Sequence, residues 1–130
     1  MLRAPEWRIP ALSKGEIEMR NMSFALTTQQ VRDRTKDVTR RLGWGNLKPG
    51  ERVQACVKCM GLKPGEKIER ITVIECVSNH PECIAAITPN DVKREGFPEM
   101  NPEQFVDMFC EHMRVDRSQV VNRIEFKYID

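Results

Sequence analysis

Three absences narrow the possibilities for this chain of 130 residues. No apolar run is long enough to cross a bilayer, and the amino terminus lacks the apolar core of a signal peptide. Neither sign of charge dominates, because 21 Lys and Arg residues are set against 19 Asp and Glu residues, for a formal charge of +2. A nucleic-acid coat protein is usually far more basic. We therefore expect a cytoplasmic protein that does not associate with membranes.

The five cysteines lack the even number and compact spacing of a disulfide framework. Free thiols in a reducing compartment are the simpler expectation. Cys56 and Cys59 are followed by Cys76, His80 and Cys83, but the second pair is spaced by six residues, which is unlike a zinc ribbon. The first pair also falls in an alternating stretch, where residues three apart face opposite sides. We predict no metal and no other cofactor.

The length and the hydrophobic pattern predict one domain preceded by an arm. A chain of this size can bury well over half of its unfolded surface in a single core. Residues 1–21 show no sustained period, and we interpret them as an arm that Trp7 and Ile9 would anchor. Residues 22–130 form the predicted domain.

Alternation and turn residues predict a β-rich domain with short helices. A short strand at Phe24 and Leu26 should precede a helix capped by Thr27 or Thr28. The further predictions are a strand over 53–59, a strand over 68–77, a helix from Thr88-Pro89 to about Gly96, a helix from Asn101-Pro102, and a strand over 120–128. In the last strand, Val120 should share a face with Ile124.

Reactive side chains are densest in residues 34–41, which read RTKDVTRR. Lys36 and Thr39 are three residues apart, so they would share a face on a bend but not in a strand. Glu95 lies at the carboxyl end of a predicted helix, where the dipole disfavours a carboxylate. A partner such as Lys36 would explain why a carboxylate occupies that position. The alternative is that Lys36 and Glu95 are both solvent-exposed residues at helix ends.

Four segments in this order resemble the ASCH domains, which are small barrels of the pseudouridine-synthase-and-archaeosine-transglycosylase (PUA) type. They are Lys36-x-x-Thr39-x-Arg41, Leu47-Lys48-Pro49-Gly50, Glu95-Gly96-Phe97 and Ile124-Glu125-Phe126. The resemblance begins near Ser23. It implies an α+β fold, in which a PUA-like β-barrel is flanked by short helices.

Some ASCH proteins are amidohydrolases that remove the acetyl group from N(4)-acetylcytidine. The resemblance implies catalytic roles for Lys36, Thr39 and Glu95, and substrate binding by Arg41. The partner would be a small modified cytosine nucleoside or base. The protein itself would be a monomer or a weak homodimer.

The chain departs from that amidohydrolase at two positions inside the motif. Asp37 replaces a threonine and Arg40 replaces an apolar residue. Two acid–base assignments remain open: neutral Lys36 as the base with Glu95 as an acid, or Glu95 as the base with cationic Lys36 holding the oxyanion. The first requires the pKa of Lys36 to fall by about three units, at a cost of roughly 4 kcal/mol.

Arg34 and Trp44 complete the expected substrate site. Trp44 lies between two glycines and could stack on a base, although packing at the rim of the core is an equal alternative. His112 lies on the apolar face of its predicted helix, and we expect it to pack against the core rather than to act as a catalyst. A second hypothesis is an RNA-binding barrel or a ribonuclease, which would use the basic residues between 32 and 48: Arg32, Arg34, Lys36, Arg40, Arg41 and Lys48.

Overall fold

The computed structural model describes residues 19–130. In chain order, its elements are β1 (Arg20–Ser23), α1 (Thr28–Arg32), β2 (Val38–Arg41), β3 (Arg52–Cys56), β4 (Arg70–Cys83), a 3-10 turn (Ile84–Ala86), α2 (Pro89–Arg94), α3 (Pro102–Met113) and β5 (Val120–Ile129). The predicted anchors Trp7 and Ile9 lie outside the described residues. Arg20 and Asn21, which were predicted to end the arm, belong to β1.

The five strands form one curled sheet in the order β1-β3-β4-β5-β2. β1 and β3 are parallel, and the other neighbours are antiparallel. β4 and β5 are the longest strands and pair along nearly their whole length, with a bulge between Cys76 and Ser78. A bulge bends a strand and increases its twist, which suits a sheet that curls towards a half-barrel. The α+β, PUA-like architecture expected from the sequence is confirmed.

Two apolar clusters lie along this sheet. The first fills the curl, and its members include Phe24, Ile74 and Phe126. The second lies beneath α2 and α3 and is built around Phe105 and Val106. Because β5 passes from one cluster to the other, different faces of the strand become buried along its length.

The change of cluster explains which residues of β5 are buried. The pairing of β5 with β4 is regular from Val120 to Glu125, so Val120 and Ile124 share a face, as the alternation predicts. That face is buried at Ile124, in the first cluster, whereas Val120 is 57% exposed and Val121 on the other face is buried in the second cluster. The expectation that one side of β5 is buried along its whole length is therefore wrong.

The strand boundaries also differ from the predictions. β1 ends before Phe24, which is buried directly after it, and Leu26 is exposed. β3 ends at Cys56, so Cys59 follows the strand. β4 continues to Cys83 because it keeps pairing with β5 beyond the bulge.

The two longer helices begin where their caps predicted. The Thr88 side chain accepts a hydrogen bond from the Asp91 amide, and Pro89 occupies the first turn of α2. Asn101 and Gln104 form a reciprocal capping box at the start of α3. Within residues 19–130, no helix combines the length and apolar character needed to cross a membrane.

Candidate active site

Lys36 lies in the extended segment between α1 and β2, outside the strand that contains Thr39. The adjoining Asp37 donates its amide to the Arg94 carbonyl at 3.0 Å and accepts the Phe126 amide at 3.0 Å. The Tyr128 hydroxyl donates to the Lys36 carbonyl. The backbone next to Lys36 is therefore held between α2 and β5, and Lys36 lies two residues before β2.

The Lys36 ammonium group contacts Glu95 twice. Its Nζ lies 2.7 Å from Glu95 Oε1 and 2.8 Å from the Glu95 carbonyl oxygen. The two side chains are only 3% and 4% exposed. Glu95 caps the carboxyl end of α2, and the pair explains why a carboxylate is tolerated there.

Gly96 makes the close approach of this helix end possible. Its φ is +105°, a region that side-chain-bearing residues rarely adopt. A Cβ at this position would lie 2.8 Å from Cγ of Gln30 in α1. Gln30 in turn donates its side-chain amide to the Gly96 carbonyl at 3.1 Å. Glycine here lets α1 and α2 pack together with Glu95 turned towards Lys36.

Thr39 and Arg41 are alternate residues of β2 and meet at their side chains. Arg41 Nε donates to Thr39 Oγ1 at 3.0 Å. The Arg41 guanidinium lies 4.6 Å from the ring centre of Phe24, which covers one of its faces. Among the described residues, no carboxylate lies within 4.0 Å of Arg41. Its two terminal amino groups are therefore available to a ligand.

Arg40, which was expected only among the basic residues that RNA would contact, belongs to this site. Its side chain is 1% exposed and donates to three carboxylates: Glu95 Oε2 at 3.1 Å, Asp91 Oδ2 at 2.5 Å and Glu82 Oε2 at 2.7 Å. Arg123 donates to both oxygens of Asp91 at 2.7 and 3.1 Å. The sequence does contain a signal for the carboxylates that bind Arg40. Asp91 and Glu95 are four residues apart, so a helix presents both on one face.

Burial and charge shift the pKa values of these groups in different directions. Burial lowers the pKa of Lys36, and Arg41 and Arg40 lower it further, while Glu95 opposes both. Burial lowers the pKa of Arg41 to about 10. The Arg123 hydrogen bonds hold the pKa of Asp91 well below its usual range, with Arg40 acting in the same direction. The site is therefore a strongly coupled set of charges.

Lys36, Thr39, Arg41 and Glu95 all line one cavity of about 270 Å³. Its opposite wall comes from α3 and the loop before it, with the aromatic and thioether side chains of Phe97, Phe105, Met108 and Phe109. Ligand pockets for drug-sized molecules start at about 300 Å³. The cavity is thus suited to a small ligand that has a polar end and an apolar end.

Trp44 and His112 also line this cavity. Trp44 is half-buried against the first apolar cluster, and the Arg20 guanidinium lies 4.4 Å from its ring centre. One face of the ring is therefore already occupied by a cation. His112 is exposed, which differs from the packed position expected for it.

Arg34 does not line the cavity. Its guanidinium donates to Asp130 at 2.5 Å and lies 5.1 Å from the ring centre of Tyr128, beside a separate surface depression. Thr35 lines the same depression. Arg34 belongs to the loop before Lys36 and has a positive φ of 62°, which turns it away from the residues that follow. We leave it out of the proposed substrate site.

The cysteines and the histidine that were weighed as zinc ligands do not gather as a set, although the Cys59 thiol lies beside that of Cys56. Cys56 and Cys76 are buried in β3 and β4, and Cys83 ends β4. In the part of the chain that the structure describes, no three His, Cys, Asp or Glu side chains come together as a metal site requires.

Two solved structures share this architecture. An ASCH domain from Lactobacillus crispatus superposes with a TM-score of 0.54 at 13% identity, covering 95% of this chain and 90% of that one. The chain has an ASCH-like fold. A DUF984 protein from Enterococcus faecalis gives a TM-score of 0.58 at 12% identity, covering 86% of this chain and 80% of that chain. Comparison of the sequence with family models and with curated proteins finds no match.

Proposed function

We propose that this ASCH-like protein is an amidohydrolase that acts on N(4)-acylated cytosine nucleosides or bases, with N(4)-acetylcytidine as the reference substrate. The observation that carries the proposal is the meeting of a buried Lys36–Glu95 pair and a threonine hydroxyl in one small cavity. Burying charges costs free energy that an apolar core would avoid, and such groups in a cavity are typical of reactive sites.

The Thr39 hydroxyl is the proposed nucleophile. Among the described residues its oxygen has one hydrogen bond, accepted from Arg41, so its own hydrogen is free to be donated. As Oγ1 attacks the acyl carbon, the carbonyl oxygen gains negative charge and the hydroxyl proton passes to a base. Arg41 lies next to Thr39 and can donate to that oxyanion through its free amino groups.

Lys36 and Glu95 are the candidates for the base. A neutral Lys36 has two N–H groups, which its two bonds to Glu95 would use, and a lone pair left for the Thr39 proton. A cationic Lys36 has a third N–H, which could donate to the oxyanion while Glu95 accepts the proton. The hydrogen-bond geometry is compatible with both assignments.

The rest of the reaction follows by proton balance. The group that accepted the Thr39 proton returns it to N(4), the C–N bond breaks, and the cytosine product leaves. Water then attacks the acyl-Thr39 ester, which releases the carboxylic acid and regenerates the hydroxyl. Met108 and Phe109 on the apolar wall would contact the acyl group and limit the access of water.

The RNA-binding alternative receives less support from the basic residues. Arg32 pairs with Glu69 and Arg34 with Asp130, while Lys36 and Arg40 are buried in ion pairs of their own. These residues do not offer a continuous surface to phosphates. Salt dependence separates the two functions, because phosphate binding weakens steeply as salt rises and hydrolysis of a neutral nucleoside does not.

The proposal is tested by incubating the protein with N(4)-acetylcytidine and following cytidine release by chromatography. Lys36→Met is compared with Lys93→Met, which changes an exposed lysine of α2. We expect turnover by the wild type and by Lys93→Met, and a loss of at least about a hundredfold in folded Lys36→Met. No turnover by a folded wild type, or equal turnover by the two variants, would contradict the proposal.

A further inference from the structure

The charges around Glu95 do not balance if every cation keeps its proton. Asp91 and Arg123 neutralise each other through two hydrogen bonds. With that pair set aside, the cations in the buried interior of the site are Lys36, Arg40 and Arg41. The other carboxylates that they face are Glu95 and Glu82. These five groups carry one positive charge in excess, while Arg94 with Asp37 and Glu125, which are more exposed, carries one negative charge.

Lysine is the group in this set that can release its proton. A guanidinium stays protonated in nearly all protein environments, whereas a buried lysine readily becomes neutral. Burial already lowers the pKa of Lys36, and Arg41 and Arg40 act in the same direction. Glu95 retains a cationic partner when this happens, because Arg40 donates to its second oxygen.

We propose that Arg40 is a positioning residue which serves as the permanent counter-ion of Glu95, so that Lys36 is released from that role and acts as the neutral base. This inference rests on the proposed function, and it selects between the two open assignments. Glu95 is then an anion that orients the Lys36 amine through Oε1 and its carbonyl oxygen. Thr39 gives its proton to the Lys36 lone pair, and Lys36 passes it to the leaving nitrogen.

Arg40 is held in place for this role from its far side. Its Nη2 donates to Asp91 at 2.5 Å and to Glu82 at 2.7 Å, while Nη1 donates to Glu95 at 3.1 Å. Asp91 is anchored by Arg123 on β5. The guanidinium is therefore fixed by α2, β4 and β5 together, and it cannot follow Lys36 if that side chain moves.

Other ionisable groups also face this site and enter any pH dependence. Tyr128 on β5 contacts the Lys36 carbonyl, and His112 on α3 lines the cavity. Arg94 on α2 is paired with Asp37 and with Glu125. Of the charged groups that face Lys36 directly, Glu95, Arg40 and Arg41 are the nearest influences on its pKa.

The test compares Arg40→Met with Arg40→Lys by two readouts. The first is the NMR titration of the Lys36 side chain in the full-length protein, which does not depend on activity. The second is the pH dependence of kcat/KM for N(4)-acetylcytidine. A neutral Lys36 base makes kcat/KM rise as pH increases through the pKa of Lys36, and loss of Arg40 makes that lysine the sole counter-ion of Glu95.

In Arg40→Met, we expect the Lys36 titration and the rising limb of kcat/KM to move together to higher pH by about one unit. In Arg40→Lys, which keeps the charge, the shift should be clearly smaller. A merely structural role would lower the folded fraction and the amplitude without moving the midpoint. Identical Lys36 titrations in the wild type and folded Arg40→Met would overturn the inference.

Glu82→Gln tests the role of Arg40 while keeping Arg40 in place. It should shift the midpoint of the Lys36 titration in the direction opposite to Arg40→Met. Glu82 is half-buried and competes with Glu95 for the Arg40 guanidinium. Its neutralisation should strengthen the Arg40–Glu95 pair and move the Lys36 titration to lower pH, and an unchanged midpoint would count against the inference. If the wild type does not hydrolyse N(4)-acetylcytidine, the proposed function fails while the NMR readout still decides the role of Arg40.

Discussion

Basic residues that are neighbours in the sequence occupy two different environments. Lys36 and Arg40 are 3% and 1% exposed and bind buried carboxylates on α2. Arg32 and Arg34 are 43% and 45% exposed, and they pair with Glu69 and Asp130 at the surface. A basic cluster in the sequence is therefore not a basic surface in the fold.

The difference arises from what covers each part of the chain. Arg32 and Arg34 lie at the end of α1 and in the loop after it, and among the described residues their side chains and those of their partners are largely exposed. Lys36 and Arg40 lie beside and within β2, which α2 covers through ion pairs. Exposed ion pairs contribute about 0–1 kcal/mol, whereas breaking a buried pair costs about 3–5 kcal/mol. The two environments should respond very differently to the same type of substitution.

The largest difference is expected between Glu95→Ala and Asp130→Ala. Glu95→Ala leaves Lys36 and Arg40 buried without a shared carboxylate, and it should lower the free energy of unfolding by about 3–5 kcal/mol. Asp130→Ala removes an exposed partner of Arg34 and should leave the free energy of unfolding nearly unchanged. Urea denaturation of both variants provides the measurement. Similar losses would show that burial does not separate the two groups.

A smaller effect, and one that depends on pH, is expected for Asp91. Its pKa in the folded protein is lowered chiefly by Arg123, so its contribution is complete above the unfolded pKa of about 3.9. That contribution is lost as pH falls towards the folded value. Asp91→Asn should lower stability at neutral pH by about 1.5–3 kcal/mol and flatten the loss of stability below pH 4.

The matched control for Asp91 is Asp107→Asn on α3. Asp107 pairs with Arg117, but its side chain is 68% exposed. We expect this control to follow the wild-type pH profile in acid denaturation. An Asp91→Asn profile as steep as that of the wild type would contradict the assignment of acid sensitivity to Asp91.

The smallest effect on stability is expected for Gly96→Ala, which tests how closely the end of α2 approaches α1. Gly96→Ala introduces a Cβ that meets Gln30 at 2.8 Å, in a backbone with positive φ. Gly50 also has a positive φ, of 92°, but open space around its Cβ position. We expect losses of about 2 kcal/mol for Gly96→Ala and about 1 kcal/mol for Gly50→Ala, measured by thermal unfolding. Equal losses would mean that the Gln30 contact relaxes without cost.

Local signals predicted much of the fold. The α2 and α3 starts were readable because Thr88-Pro89 and Asn101-Pro102 carry their capping information within a few residues. The spacing of Lys36 and Thr39 indicated that the two residues could share a site only if they did not both lie in one regular strand, and Lys36 lies before β2. The choice of the buried face at each end of β5 did not follow, since it depends on which cluster that end enters.

The charged part of the site was only partly predictable. Lys36, Thr39 and Glu95 came from the resemblance, and Arg41 from the same motif. The role of Arg40 depends on Glu82 and Asp91, which are 42 and 51 residues away in the chain. Such contacts follow from the packing of α2 against β2 and β5. The four-residue spacing of Asp91 and Glu95 indicates two carboxylates on one helical face, but it does not identify the cation that they bind. Arg34 shows the converse, since nearness in sequence did not place it in the cavity.

Thr39 of the motif and Thr35, which directly precedes the motif, allow the most direct test of the account. Thr39 lies in the cavity, whereas Thr35 is exposed beside Arg34 at the separate depression. The measurement is kcat/KM for N(4)-acetylcytidine with Thr39→Val and Thr35→Val, both checked for folding. The account predicts a loss of at least about 10³-fold for Thr39→Val and wild-type turnover for Thr35→Val. Turnover retained by Thr39→Val would contradict it.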